Sequence, residues 1–138
     1  MDQMASGRKA SVVQGGAGYR AEQGSDYFPG VSAESVGAEA LWLGMVTIPP
    51  GGRTKAHVHE RHESAFYMLS GDAVEMWSGE GLRHRELVHP GDYIFVPVNT
   101  LHVAVNRSEE PAVFIGSRNE ATAQESVVLY PDLDARVP

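Results

Sequence analysis

The sequence predicts an all-β sandwich or barrel, and three observations predict it. Short runs rich in β-branched and aromatic residues recur along the chain, and clusters of Gly, Pro, Asp and Asn separate them at short intervals. No segment carries the 3.6-residue apolar period of an amphipathic helix. Strands of this length joined by turns need a facing layer to bury their apolar side, which a sandwich or closed barrel supplies.

Taken in order, residues 1–38 are rich in Gly, Ser, Ala and Gln and show little periodicity. They read as a mobile arm with at most a short strand at Ser11–Gln14 and a turn at Pro29-Gly30. The ordered pattern begins with Ala40–Ile48 and stops at Pro49-Pro50-Gly51-Gly52, because proline has no N–H for a ladder. Ser64–Ser70 is closed by Gly71-Asp72, Ala73–Trp77 by Ser78–Gly81, Arg83–Val88 by His89–Asp92, and Tyr93–Val98 by Asn99-Thr100. Leu101–Val105, Ala112–Ser117 and Val127–Tyr130 follow, and Pro131–Pro138 reads as frayed. The domain expectation is an arm over 1–38, one barrel over 39–131 and a tail over 132–138.

Composition bounds the function. The chain has 138 residues, enough for one core of ordinary size, since about two-thirds of its unfolded surface can be buried. A formal charge of −7 repels phosphate backbones and anionic lipid, so neither nucleic acid nor a membrane is expected as a partner. No apolar run approaches the ~18 residues of a spanning helix, and Arg8-Lys9 is followed by no apolar block of a secretory signal. A cytoplasmic location is expected. The absence of cysteine excludes disulfides, thiolate metal sites and Cys nucleophiles. There is no G-x-S-x-G elbow, and Gly15–Gly18 lacks the strand and the Lys-Ser/Thr of a phosphate loop.

Histidine carries the chemistry. His57 and His59 stand two apart, and on a strand residues i and i+2 share a face, so both imidazoles can reach one point. Glu63 follows four residues later. Imidazoles with a carboxylate form a donor set for Mn, Fe, Ni or Zn. His102 lies just beyond a Pro-containing turn in which Asn99 can take the left-handed conformation, as Gly would. His84 and His89 lie beside turns and face solvent in this reading.

Two segments, Gly51-x5-His57-x-His59-x3-Glu63 and Gly91-x5-Pro97-x-Asn99-x2-His102-x3-Asn106, together resemble the two motifs of the cupin superfamily, G(x)5HxH(x)3–4E(x)6G and G(x)5PxG(x)2H(x)3N. Gly44, Pro49–Gly51 and Glu63–Gly71 look like the small single-domain bacterial members. The resemblance implies a cupin-type double-stranded β-helix, or jelly-roll barrel, and a homodimer. It implies one divalent transition metal ion held by His57, His59, Glu63 and His102. Asn99 stands where the motif has Gly. Seven residues rather than six separate Glu63 from Gly71, so counting back from Gly71 puts Ser64 in the ligand's place and turns His62 inward instead of Glu63. A bulge after His59 would restore Glu63. His62 is therefore the alternative to Glu63: four imidazoles would leave the ion its full double charge and favour zinc or nickel, whereas a carboxylate suits manganese or iron.

Such a site has open positions for a small-molecule substrate. Its chemistry would be carbonyl or enolate polarisation, as in an isomerase or polyketide-cyclase-like enzyme, or oxygen binding, as in a dioxygenase. The alternative is a non-catalytic cupin that binds a metal or small ligand as a sensor or store. An epimerase-like cupin is a third option, but it would need a His–Asp base pair. Trp42, Phe66, Met68, Met76, Tyr93 and Phe95 are candidates for the pocket wall, Tyr67 is a candidate acid, and Arg53 and Lys55 are candidate anion contacts at the mouth.

Overall fold

The computed structural model of the protein describes residues 4–124 and 126–138. In chain order the strands are β1 (Tyr19–Arg20), β2 (Asp26–Val31), β3 (Trp42–Ile48), β4 (His57–His59), β5 (Ser64–Ser70), β6 (Val74–Ser78), β7 (His84–Val88), β8 (Tyr93–Val96), β9 (His102–Val105), β10 (Ala112–Arg118) and β11 (Val127–Leu129). They form two antiparallel sheets. The first is ordered β1-β2-β3-β10-β5-β8 and the second β11-β4-β9-β6-β7. This is an all-β jelly roll, and the strands expected between residues 40 and 130 form close to their expected bounds.

Period-two alternation decides which side chains meet between the sheets. Trp42, Val46 and Ile48 of β3 point inward with Phe114 of β10 and Met68 of β5, against Val74, Met76, Val88 and Ala104 of the second sheet. Gly44 and Gly116 pair directly across β3 and β10. A Cβ on Gly44 would lie 2.6 Å from the Phe28 carbonyl oxygen and 2.8 Å from the Trp42 ring, and one on Gly116 would lie 2.7 Å from the Phe66 ring. The two glycines leave room for the neighbouring rings to lie across the strands.

Two stretches that the sequence left in a mobile arm, β1 and β2, are built into the first sheet. β2 pairs with β3 along Tyr27↔Val46 and Phe28↔Met45, and Tyr27 is buried with its ring 5.2 Å from that of Trp42. A strand whose ladder and apolar partner both come from β3 has no periodicity of its own to read. The expected strand at Ser11–Gln14 does not form, and residues 4–18 carry no regular element. Met1–Gln3, also in that arm, lie outside the described residues.

The expected fraying of the C-terminus is likewise corrected. Residues Pro131–Arg136 form a 3₁₀ turn that lies on the outer face of the second sheet, where Leu133 and buried Val137 pack with Ala56, Leu82, Val103 and Val105. Arg53 Nη1 and Nη2 donate to the carbonyls of Val137 and Asp134 at 2.9 and 3.1 Å, and the Ala56 N–H donates to Asp134 Oδ1 at 2.6 Å. Arg53 is thus a clamp on the C-terminus and not an anion contact at the mouth; Lys55 is exposed. Truncation after Tyr130 is expected to lower stability by about 3 kcal/mol or more, from one fully buried Val and the newly wetted Val103 and Val105. Denaturant unfolding measures it, and an unchanged midpoint would show that the segment adds no burial energy.

The outer face of the first sheet has no such cover. One row in register, Phe28–Met45–Ile115–Tyr67–Tyr93, crosses five strands, and Leu43, Leu69 and Phe95 flank it. Tyr93 is 81% and Phe95 62% exposed. No outward residue of β3, β10, β5 or β8 is charged.

Candidate metal centre

β4 and β9 are neighbours in the second sheet, with His57 directly opposite His102. Alternation turns His57 and His59 of β4 and His102 of β9 to the inner face. The strand pairing therefore delivers two imidazoles from one strand and a third from its neighbour to one place. One ligand atom from each of the three lies within 4.8 Å of the others, and all three residues are buried. The turn before β9 is tied to β4, because the Asn99 N–H donates to the His59 carbonyl at 2.9 Å. Asn99 has φ +54°, the left-handed geometry expected of it.

Backbone carbonyls orient two of the rings. His57 Nδ1 lies 2.7 Å from the Lys55 carbonyl and His102 Nδ1 lies 2.8 Å from the Thr100 carbonyl. A carbonyl only accepts, so each Nδ1 carries the proton and each Nε2 keeps its lone pair. His59 is different. Both of its ring nitrogens are buried without a hydrogen-bond partner among the described residues. A buried polar atom left in that state costs about 1–3 kcal/mol, and a coordinated cation would remove that cost.

The three rings are neutral at neutral pH. Burial is the main cause for each: it pushes His57 well below its usual range, with His102 and His59 adding to the effect. It takes His59 to about 2, with the Arg118 guanidinium as the next contribution, and His102 to about 4. Neutral imidazoles without competing protons are the state a metal needs. The residues present fit a divalent ion.

The structure does not bring Glu63 to this cluster. Its side chain is exposed, and its N–H donates to Asn119 Oδ1 at 2.9 Å. No bulge after His59 restores it: residues 60–61 form a turn and β5 starts at Ser64, which faces inward and is buried. His62 does not join the three histidines either. Its Nδ1 lies 2.7 Å from Ser126 Oγ and 2.9 Å from Glu120 Oε2. Tyr67 points to the outer face, with its ring 4.9 Å from that of Tyr93, so it is no acid for this centre. Of the expected pocket wall, Phe66 and Met76 line the cavity beside the histidines, Trp42 and Met68 are core, and Tyr93 and Phe95 stand on the outer face. His84 and His89 are exposed, as expected.

The cavity between the sheets measures about 40 Å³. His57 and His102 line one side; Gln23, Tyr27 and Arg118 line it from the other chain segments. Tyr27 oxygen accepts from Gln23 Nε2 at 2.6 Å and from Arg118 Nη2 at 3.3 Å, which leaves the phenol proton free to donate. A cleft of about 280 Å³ between the edges of β7 and β8 shares Met76, Ile94 and His102 with it. Sequence reading missed Gln23, Tyr27 and Arg118. A signal existed for the last: Arg118 is in phase with the inward residues Ala112, Phe114 and Gly116 of β10, where a charge is out of place.

Residues 44–116, just over half of the chain, match the family described as the cupin domain. A quercetin 2,3-dioxygenase of Bacillus subtilis (strain 168) is 37% identical over 54 residues, which is 39% of this chain and 15% of that protein. Among solved structures, an oxalate oxidase in complex with the substrate analogue glycolate superposes with a TM-score of 0.66 at 19% identity, over 80% of this chain and 57% of that one. A sugar phosphate isomerase of the cupin superfamily from Silicibacter pomeroyi gives 0.60 at 18%, over 78% and 71%. A Cupin 2 conserved barrel domain protein from Salinispora arenicola gives 0.60 at 19%, over 72% and 79%. These likenesses show the shared fold, and the matched family, whose members bind metal ions, contains the strands that carry all three histidines: the chain is a member of the cupin family.

Proposed function

We propose that this protein is a metal-dependent enzyme acting on a small organic molecule, with one divalent ion of Mn, Fe, Ni or Zn held by His57, His59 and His102. The observation that carries this reading is the buried, neutral three-imidazole cluster in which the His59 ring nitrogens have no hydrogen-bond partner among the described residues. Such an ion supplies Lewis acidity for a carbonyl or enolate, or, if redox-active, a binding position for oxygen. The protein's own parts then have definite tasks. The Lys55 and Thr100 carbonyls hold two rings in the metal-binding tautomer. Phe66, Ile94 and Phe114 exclude water from the ligand, and the Tyr27 hydroxyl donates to it from the far side. Dioxygenase and isomerase or cyclase chemistry both fit, and the 37% identity to a quercetin dioxygenase segment supports the former.

A second reading, a non-catalytic metal or ligand binder, is favoured by one observation: among the described residues, none lining the inner cavity is a carboxylate that would serve as general base. Loading purified protein with Mn, Fe, Ni and Zn in turn and screening enolisable and catechol-like compounds separates the two. Turnover with any metal supports the enzyme; ligand binding without turnover for all of them supports the binder.

We further propose a homodimer formed through the outer face of the first sheet. The chain carries −7 overall, so most faces of two copies repel, but the part of this face formed by β3, β10, β5 and β8 has no charged outward residue, and its aromatic row can pair with itself about a two-fold axis. Tyr93→Glu with Phe95→Glu is expected to weaken association at least ~100-fold in sedimentation equilibrium and leave the fold intact, since both side chains are already exposed. A wild-type monomer, or a variant as dimeric as wild type, would overturn it.

A further inference from the structure

The three histidines stand on the inner face of the second sheet, and one cation faces them from the first. Arg118 ends β10, is 4% exposed, and lines the same cavity as His57 and His102. It sits directly opposite Ser64, the residue that takes the inward place of a carboxylate ligand. Its Nε donates to Ser64 Oγ at 2.6 Å, Nη1 to the Ala123 carbonyl at 2.8 Å and toward Glu120 Oε1 at 3.5 Å, and Nη2 to the Tyr27 oxygen at 3.3 Å. A guanidinium has five N–H groups, so these four bonds fix its plane and leave one Nη2 hydrogen over.

Net charge sets the first limit on what the cavity takes. Arg118 and Glu120 cancel as a pair. Three neutral imidazoles cancel nothing, and among the described residues no carboxylate lines the cavity, so a divalent ion would keep both charges in an apolar interior. An isolated buried charge is strongly unfavourable unless an opposite charge accompanies it. Size sets the second limit. One water needs ~10–15 Å³, so 40 Å³ holds roughly three or four waters' worth of ligand, far below the ~300 Å³ and more of sites for drug-sized molecules.

We propose that Arg118 is the specificity-determining residue of the cavity, and that the ligand is a small carboxylate anion, on the order of the smallest dicarboxylates, held between the guanidinium and the three-histidine centre. This deepens the metal-centre reading and rests on it. The spare Nη2 hydrogen and the Tyr27 hydroxyl point at one carboxylate end and the ion would neutralise the other. A neutral amide in place of the carboxylate turns N–H donors toward N–H donors and loses the charge.

Oxalate and its isosteric half-amide, oxamate, test this on the zinc-loaded full-length protein by calorimetry, with zinc content checked after each titration. Arg118→Gln is expected to weaken oxalate at least ~10-fold and oxamate no more than ~3-fold, a loss consistent with one charge-assisted hydrogen bond. Equal loss for both, or none, overturns the role of Arg118 and leaves the metal centre standing. Wild type that takes up no zinc overturns both. Because a buried arginine also supports the fold, the wild-type protein is crystallised with zinc and oxalate as an independent measurement: a carboxylate oxygen within about 3.2 Å of Arg118 Nη2 supports the proposal, and oxalate directed into the outer cleft overturns it.

Discussion

His57→Ala combined with His102→Ala is expected to abolish retention of a divalent ion, with affinity reduced by more than ~100-fold, because removing even an outer partner of a ligand costs ~10–100-fold. The two residues are cross-strand neighbours with ring centroids 4.1 Å apart, so the double substitution empties one side of the cluster. Metal analysis of protein purified without chelator measures the loss, and anomalous scattering locates any ion. Glu63→Gln is the informative contrast: its exposed side chain lies outside the cluster, and metal content is expected to stay within about 3-fold of wild type under the same assay. Full metal content in the double variant would sink the centre; metal loss in Glu63→Gln would place the carboxylate back in the ligand set.

Metal-free protein is expected to unfold on mild acidification. A group whose folded pKa lies below its unfolded value binds fewer protons when folded, so stability falls as pH drops below the unfolded value, here 6.5, and stops falling at the folded value. The window therefore opens near pH 6.5 and extends to about 4 for His102 and about 2 for His59. Each such histidine costs ~1.4 kcal/mol per pH unit inside the window, so His59 and His102 together cost roughly 4 kcal/mol by pH 5, and His57 adds in the same direction, a large part of the stability of a domain. Glu75 acts lower down. Its hydrogen bond from Arg107 holds it at about 2 against an ordinary 4.5, so its contribution is present above 4.5 and disappears below it. Thermal unfolding of chelator-treated protein between pH 7 and 4 tests this, with His59→Gln expected to flatten the slope by about a third and added zinc to move the transition to lower pH. A melting temperature constant from pH 7 to 5 would show that the imidazoles are not buried as described.

The limits of sequence reading follow from where each signal is stored. The histidine pair at 57 and 59 was legible because its two-residue spacing and its face are both local properties of a strand. Asn99 was legible for the same reason, as a turn residue free to take positive φ. His102 could be joined to them only through the resemblance of two motifs, since nothing in either segment states that β4 and β9 are neighbours. The fourth position shows the opposite case. Whether Glu63, His62 or Ser64 faces inward depends on where β5 resumes after the turn at 60–61, and a slip of one residue exchanges the faces.

The alternation of apolar and polar residues, with proline and glycine stops, was sufficient to determine an all-β chain, its principal strands and the shared face of His57 and His59, because those properties are written within a few neighbouring positions. Pairing across the barrel decided everything else. It placed β2 and its Tyr27 in the first sheet, laid Val137 over the second, turned Tyr67, Tyr93 and Phe95 outward, and set Arg118 across from the histidines. The physical reason is that burial and the neutrality of a buried site belong to a residue's partners, and these partners lie 50 to 90 positions away along the chain.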